Sequence, residues 1–306
     1  MRLLRTLIER DKQHAKAALP PELRDLYDGD LHFPSSRSDR PFVIGNFVST
    51  LDGVVSFKVE GHAGGSTISG SDLGDRFIMG LLRASADAVM VGSRTVHDVS
   101  PMSLWIPEFT YPDAKQLYTE YRINVLHKTE YPLTVIVSGS GKLDLQRAVF
   151  RTRGIRTIVI TTPTGSENLA KAGAAELTSV EVHAVDAQDG SIHPRTIMQL
   201  LHSQLGIRML LHEGGPTLFG QFLAAQAVDE LFLTLSPQIA GRAKLTNRPG
   251  VVENIDFSPA SAPWFELLTL KEKSEHLYLR YRRAANRQQA RRQRRAEVRL
   301  NRANRE

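Results

Sequence analysis

The sequence predicts an α/β fold with a mostly parallel central sheet, flanking helices and a C-terminal antiparallel hairpin. Short apolar runs recur between residues 42 and 236, and stretches with apolar residues at helical spacing separate them. A helix between two strands is the kind of crossover that parallel pairing requires. No run approaches the roughly 18 apolar residues of a membrane-spanning helix.

Leu3, Leu4, Leu7 and Ile8 share one face of a helix, so residues 1–39 read as a helical arm and linker packing on the same chain or on a partner subunit. Pro20-Pro21 ends that helix, and turn formers from Asp28-Gly29-Asp30 to Asp39 make the linker. The main domain spans residues 40–282. Phe42 to Val48 is a buried strand, followed by an Asp52-Gly53 turn. Leu73, Phe77, Leu81 and Leu82 mark a helix over 71–85, and Asp87 to Gly92 returns as a strand. Further strands are expected at 133–137, 156–161, 180–185, 207–212 and 231–236, with helices at 166–172, 194–205 and 216–226. Trp264 to Leu270 and His276 to Tyr281 form the hairpin, joined by residues 271–275. Residues 102–130 hold Trp105, Tyr111, Tyr118 and Tyr121 without a strand period, and read as a long excursion with one helix, placed as a lid.

The chain of 306 residues has a formal net charge of +6, but ten arginines against two glutamates put +8 into residues 282–306 and leave −2 elsewhere. The basicity belongs to an Arg-rich tail over 283–306, and nucleic acid or another polyanion would engage only there. The absence of cysteine excludes disulfides, a Cys nucleophile, iron–sulfur clusters and the zinc site of nucleobase deaminases. No histidine pair or carboxylate cluster has metal-ligand spacing, so no metal is expected. Charges at Arg2, Arg5 and Glu9 interrupt any secretory core, which points to a cytoplasmic protein.

Three glycine turns each follow an expected strand: Gly92-Ser93-Arg94-Thr95, Ser138-Gly139-Ser140-Gly141 and Glu213-Gly214-Gly215-Pro216-Thr217. Such turns leave backbone N–H groups unpaired where a helix start favours an anion. Three in one domain point to an extended phosphorylated ligand, although Gly also simply closes such turns. Gly139-Ser140-Gly141-Lys142 is no P-loop, because Leu143 stands where Ser or Thr would bind magnesium, and no G-x-G-x-x-G occurs.

Asn46-Phe47-Val48-Ser49-Thr50-Leu51-Asp52-Gly53, the stretch from Leu82 to Thr95, Glu213-Gly214-Gly215-Pro216-Thr217-Leu218 and Val228-Asp229-Glu230-Leu231 follow one another as in the RibD C-terminal reductase family. The chain resembles that family over roughly residues 41–282. The resemblance implies a dihydrofolate reductase-like fold, a homodimer, a small-molecule substrate and NADPH as cofactor. It further implies reduction of the ribosylaminopyrimidine phosphate of riboflavin synthesis, by hydride transfer to the ribosyl C1 of a ring-opened imine. The missing cysteines fit a reductase lacking the zinc deaminase domain of bifunctional relatives.

By the same resemblance, Gly92, Ser93, Arg94 and Thr95 hold the cofactor pyrophosphate. Ser138 and Ser140, with Arg94, take the 2′-phosphate, while Gly214, Gly215 and Thr217 let backbone approach the nicotinamide. Asp52 or Glu213 would donate a proton if the cleft raises its pKa, and Asn46 and Ser49 would orient the pyrimidine or ribose. The Asp-Asp-Pro-x-Leu-Thr-x-Arg stretch of bifunctional relatives is replaced here by His97 to Trp105, which leaves Arg76 and Arg83 as the phosphate ligands. A pterin or folate substrate on the same fold would need a carboxylate on the helix after the first strand, where Asp72 and Asp75 stand. A third reading is a non-catalytic domain with a polyanion-binding tail.

Overall fold

In the strand Ala88–Gly92, Ala88 and Met90 pack on one side of the sheet and Val89 and Val91 on the other, all fully buried. A period of two that is apolar on both faces requires helices over each face, which is the condition for parallel strands. The computed structural model describes residues 2–11, 18–34, 37–187, 191–244 and 246–284. The strands among them are β1 Arg5–Glu9, β2 Phe42–Ser49, β3 Ala88–Gly92, β4 Leu133–Ser138, β5 Thr157–Thr161, β6 Val180–Ala184, β7 Met209–His212, β8 Glu230–Leu235, β9 Phe265–Lys273 and β10 His276–Arg283. They form one sheet in the order β1-β9-β10-β8-β2-β7-β3-β4-β5-β6. Strands β8 through β6 in that order run parallel, and β10, β9 and β1 extend the sheet antiparallel. The expected α/β class, mostly parallel sheet and C-terminal hairpin are all present.

The helices are α1 Pro21–Tyr27, α2 Gly65–Ser69, α3 Leu73–Ser85, α4 Ser93–Asp98, α5 Pro107–Thr110, α6 Lys115–Glu120, α7 Ala148–Arg151, α8 Pro163–Lys171, α9 Pro194–Gln199 and α10 Pro216–Ala224. In α3, Asp72 caps the start by accepting from the Asp75 N–H at 2.9 Å, and Phe77, Leu81 and Leu82 are buried. Its far end is closed by buried Arg122, whose Nη1 donates to the carbonyls of Arg83, Ala84 and Ala86 at 3.2, 2.9 and 2.7 Å. A side chain thereby satisfies carbonyls that the helix end leaves unpaired.

On β2, Gly45 lies under the Phe219 ring of α10, and a Cβ there would stand 2.6 Å from the ring. Gly45→Ala is expected to cost about 2 kcal/mol through overpacking, read as a fall in thermal midpoint of several degrees. An unchanged midpoint would show that the ring yields freely.

Four expectations need correction. Residues 5–9 are the edge strand β1, not a helix: Arg5 lies opposite Glu272 on β9, and Thr6 and Ile8 alternate with exposed neighbours. The open edge of β9 overrides the helical spacing of the leucines, and Leu4 is buried among core residues. Pro20-Pro21 begins a helix instead of ending one, since Pro21 at the first helical position lacks an N–H that would be unpaired there anyway. The hairpin turn is only Ser274-Glu275, both at positive φ, because β9 continues to Lys273.

The stretch 102–130 is not a single-helix lid. It folds as α5, a 3-10 turn at Pro112–Ala114, α6 and a π-helical turn at Tyr121–Val125. Trp105, Tyr118 and Tyr121 are buried in the core, and the Tyr118 hydroxyl donates to the Phe77 carbonyl at 3.0 Å. The expected Arg-rich tail lies outside the described residues from 285 onward, although its first members, Arg282 and Arg283, belong to β10.

Arg280 of β10 is 1% exposed beneath the N-terminal segment. Its Nε donates to Glu230 Oε2 at 2.8 Å and its Nη1 to Asp11 Oδ2 at 2.9 Å, while Nη2 donates to the His32 carbonyl. Arg282 also pairs with Glu230, at 2.8 Å.

Candidate functional site

Strands β2, β7 and β3 are parallel neighbours, so their carboxyl ends open on the same side of the sheet. A cleft of about 1220 Å³ lies there, between the turns after β3 and β7, the polar face of α3 and the loop that follows β2. Open α/β sheets bind ligands at such a position.

Two of the three glycine turns meet at this cleft. Gly92, Ser93, Arg94 and Thr95 line it beside Glu213, Gly214, Gly215 and Thr217, a Cβ on Gly215 falling 3.5 Å from Thr95 Oγ1. The Glu213 N–H donates to the Met90 carbonyl at 2.9 Å, which ties the second turn to β3. No side chain caps α4 or α10, whose caps are Gly92 and Gly215, so their first N–H groups are left for a ligand or water. His212, fully buried, accepts from the Gly214 N–H through Nδ1 at 3.2 Å and packs edge-on between Phe219 and Phe222. Burial pulls its pKa down to about 3, so the ring stays neutral.

The third turn does not reach the cleft, which corrects the 2′-phosphate role expected of Ser138 and Ser140. The Ser138 hydroxyl is buried and accepts from the Gly141 N–H at 3.1 Å, and Asn168 of α8 donates to the Ser140 carbonyl at 2.9 Å. Its glycine serves packing: a Cβ on Gly141 would stand 2.0 Å from the Gly165 carbonyl oxygen. The basic side chains beside the turn after β3 are instead Arg94, Arg147 and Lys58, around an adjoining recess of about 700 Å³. Arg147 is anchored by donating to the carbonyls of Val99 and His97, both at 3.0 Å. Lys58 pairs with Asp98 at 2.7 Å. Burial of Asp98 opposes its ionisation, but hydrogen bonds from Lys58 and His97 prevail and hold its pKa below the ordinary value.

Asp52 is corrected as proton donor. Its carboxylate accepts from Thr50 Oγ1 at 2.6 Å, Ala240 N at 3.1 Å and Gly241 N at 2.7 Å, stapling two loops outside the cleft lining. Those bonds, the Thr50 hydroxyl first, lower its pKa to about 2, the opposite of what proton donation needs. Ser49 is buried at the end of β2 and does not line the cleft, whereas Asn46 does.

Arg83 and Glu213 both line the cleft but hold each other, with Nη2 to Oε2 at 2.7 Å and Nε to both oxygens at 3.1 and 3.2 Å. Arg83 Nη1 also donates to the carbonyls of Leu104 and Ile106 at 3.2 Å. It is therefore corrected from phosphate ligand to a brace under the cleft floor. Arg76 uses only Nε, on the Thr110 carbonyl at 2.6 Å, and among the described residues its Nη groups have no partner.

Asp75 was not singled out over Asp72 in the sequence, yet it is the one of the two that lines the cleft. Asp75, Met79 and Arg83 recur every fourth residue and so share the cleft face of α3. Desolvation by burial pushes the Asp75 pKa up to about 6, with hydrogen bonds from Thr234 and Ser69 in opposition. Among the described residues no three or more His, Asp or Glu could hold a metal, and no helix is long and apolar enough to cross a membrane.

This arrangement defines an α/β domain with a cleft at the carboxyl ends of parallel strands, where open sheets of this class place their ligand sites. The family model described as RibD C-terminal domain matches residues 41–272, and the chain belongs to that family. It is 29% identical to the 2,5-diamino-6-ribosylamino-4(3H)-pyrimidinone 5′-phosphate reductase of Methanothermobacter thermautotrophicus over 203 residues, covering 66% of this chain and 80% of that one. The Archaeoglobus fulgidus enzyme of the same name is 27% identical over 206 residues, with 66% and 83% covered. Among solved structures, a pyrimidine reductase-like protein from Corynebacterium diphtheriae matches with a TM-score of 0.59 at 18% identity, over 81% of this chain and 94% of that one. Acinetobacter baumannii RibD matches at 0.57 and 20% identity, over 81% of this chain; the match spans only 59% of the longer RibD.

Proposed function

We propose that the chain is an NADPH-dependent reductase that transfers hydride to the ribosyl C1 imine of a ribosylaminopyrimidine phosphate. The observation that supports this best is the meeting of two glycine turns on one cleft that Asp75, Arg76 and Arg83 of α3 also line. The residues fit the cofactor: open N–H groups at the starts of α4 and α10 suit a pyrophosphate, and exposed Arg94 beside Arg147 suits a 2′-phosphate. When bound, the dihydronicotinamide supplies the hydride. Backbone at Gly215 leaves it room, since a Cβ there would find its nearest contact, Thr95 Oγ1, only at 3.5 Å, whereas the glycine at 214 makes space for the His212 ring, 2.9 Å from where a Cβ would stand.

The protein's own part is placement. Arg76 offers its Nη groups to the substrate phosphate, and Asn46 offers an amide to the ring or ribose. Together they hold the imine carbon at the roughly 3–3.5 Å that hydride transfer needs. Reduction adds hydride to carbon and a proton to nitrogen, with no protein nucleophile. Glu213, held on Arg83, shapes the floor, and the proton comes from water in the cleft. A homodimer is part of the same proposal, and sedimentation would test it.

Cofactor titrations followed by nicotinamide fluorescence test the reading. NADPH is expected to bind more tightly than NADH, and Arg94→Ala to weaken NADPH by about 10-fold while leaving NADH unchanged. Equal affinity for both cofactors in the native protein would count against the site. Turnover of dihydrofolate without turnover of a ribosylaminopyrimidine phosphate would overturn the substrate.

A further inference from the structure

The turn after β7 has few anchors in its own backbone. The Glu213 N–H donates to the Met90 carbonyl at 2.9 Å, and the Phe219 N–H donates to the Gly215 carbonyl at 3.1 Å. Between those bonds stand Gly214, Gly215 and Pro216, and the two glycines have the widest backbone freedom of any residue. The contact that holds this stretch comes from a side chain, as the Gly214 N–H donates to His212 Nδ1 at 3.2 Å.

A backbone N–H can only donate, so Nδ1 is unprotonated and the ring proton sits on Nε2. That Nε2 is buried and makes no hydrogen bond of ordinary geometry among the described residues. The ring is wholly buried, edge-on to Phe219 and Phe222 with centroids 5.3 and 5.0 Å away. Leu210, which shares its face of β7, is a fully buried leucine. A second leucine would fill the slot beside the two phenylalanines without leaving a ring N–H unpaired. Packing therefore does not account for a histidine at 212, whereas its Nδ1 acceptor does.

Resting on the reductase reading, we propose that His212 is a positioning residue for cofactor binding, presetting the turn by holding the Gly214 N–H towards its own buried ring. The N–H groups of Gly215, Thr217 and Leu218, which have no backbone partner among the described residues, then stay free for the ligand. The ring itself touches no ligand and works through Gly214. Without the bond, the two glycines would be ordered only when the cofactor arrives, and the cost of that ordering would weaken binding. A pKa of about 3 leaves Nδ1 unprotonated, and so able to accept, throughout the neutral range.

The test pairs His212→Leu with His212→Asn. Leucine fills the slot but accepts no hydrogen bond, whereas the asparagine Oδ1 stands as many bonds from the backbone as Nδ1 and leaves the slot part empty. His212→Leu is expected to keep a urea midpoint close to native at pH 7, yet to weaken NADPH and NADH alike by about 10-fold, read by nicotinamide fluorescence. The KM for NADPH should rise by about the same factor while kcat at saturating NADPH stays within about 2-fold, because bound cofactor orders the turn again. His212→Asn is expected to unfold at lower urea but to bind NADPH within about 3-fold of native. Native affinity in His212→Leu, or losses of affinity that follow the urea midpoints of the two variants, overturns the assignment. If the native protein binds neither nucleotide, the reductase reading fails by itself. The hold on the turn is then read from amide hydrogen exchange. It stands if Gly214 exchanges faster in His212→Leu and at the native rate in His212→Asn, and falls otherwise.

Discussion

Replacing Arg280 by methionine is expected to lower unfolding stability by about 3–5 kcal/mol at neutral pH, measured by urea denaturation. Glu230 is fully buried and Asp11 nearly so, and Arg280 reaches both from a position between the Phe33 and Phe232 rings. Removing the cation takes from both carboxylates the partner they share, with Arg282 still 2.8 Å from Glu230 and 3.9 Å from Asp11. The loss should spread to the N-terminal segment, because Arg280 also donates to the His32 carbonyl. A loss below about 1 kcal/mol would mean that Arg282 alone neutralises the cluster.

The second large effect is a pH dependence that changes sign between two variants. Burial holds the folded His212 pKa at about 3 against the ordinary 6.5, so below pH 6.5 the unfolded chain binds a proton that the folded chain refuses. Its contribution is complete above pH 6.5 and is lost, at about 1.4 kcal/mol per pH unit, as pH falls towards 3. His212→Gln should be less stable than the native protein by about 2 kcal/mol at pH 7, equal to it near pH 5, and more stable below. Asp75 runs the other way: its pKa is raised from 3.8 to about 6, so its contribution is complete below 3.8 and is lost as pH rises through 6. Asp72, His276 and Tyr278 surround it and set the baseline. Asp75→Asn should therefore be the more stable protein at pH 7, by up to about 3 kcal/mol, with the gain vanishing near pH 4. Parallel stability curves for these variants and the native protein would refute the buried, neutral His212 and the strained Asp75 together.

The strands were legible where both faces are buried, because Ala88 to Val91 or Ile158 to Ile160 has no polar interruption to suggest another period. β1 was not, since Leu3, Leu4, Leu7 and Ile8 fit a helix and only the free edge of β9, over 250 residues later in the sequence, decides otherwise. The turns after β3 and β7 were legible as sites, but the one after β4 uses the same residue types to pack against Gly165. Arg83 looked free for a phosphate because its partner, Glu213, lies 130 residues away. Asp72 and Asp75 were both visible as carboxylates on α3, but which one turns inward depends on Lys273 and Tyr278 of the terminal hairpin.

β2 lies between β7 and β8, so both of its hydrogen-bonding edges are filled by residues from 209 onward. During synthesis Phe42–Ser49 therefore emerges long before either neighbour exists, an apolar segment with two open edges and no native partner. The strand beside the cleft is among the last to find its place, and a chain interrupted before Met209 exposes it permanently. Such fragments should be captured by chaperones or aggregate, whatever the stability of the finished sheet.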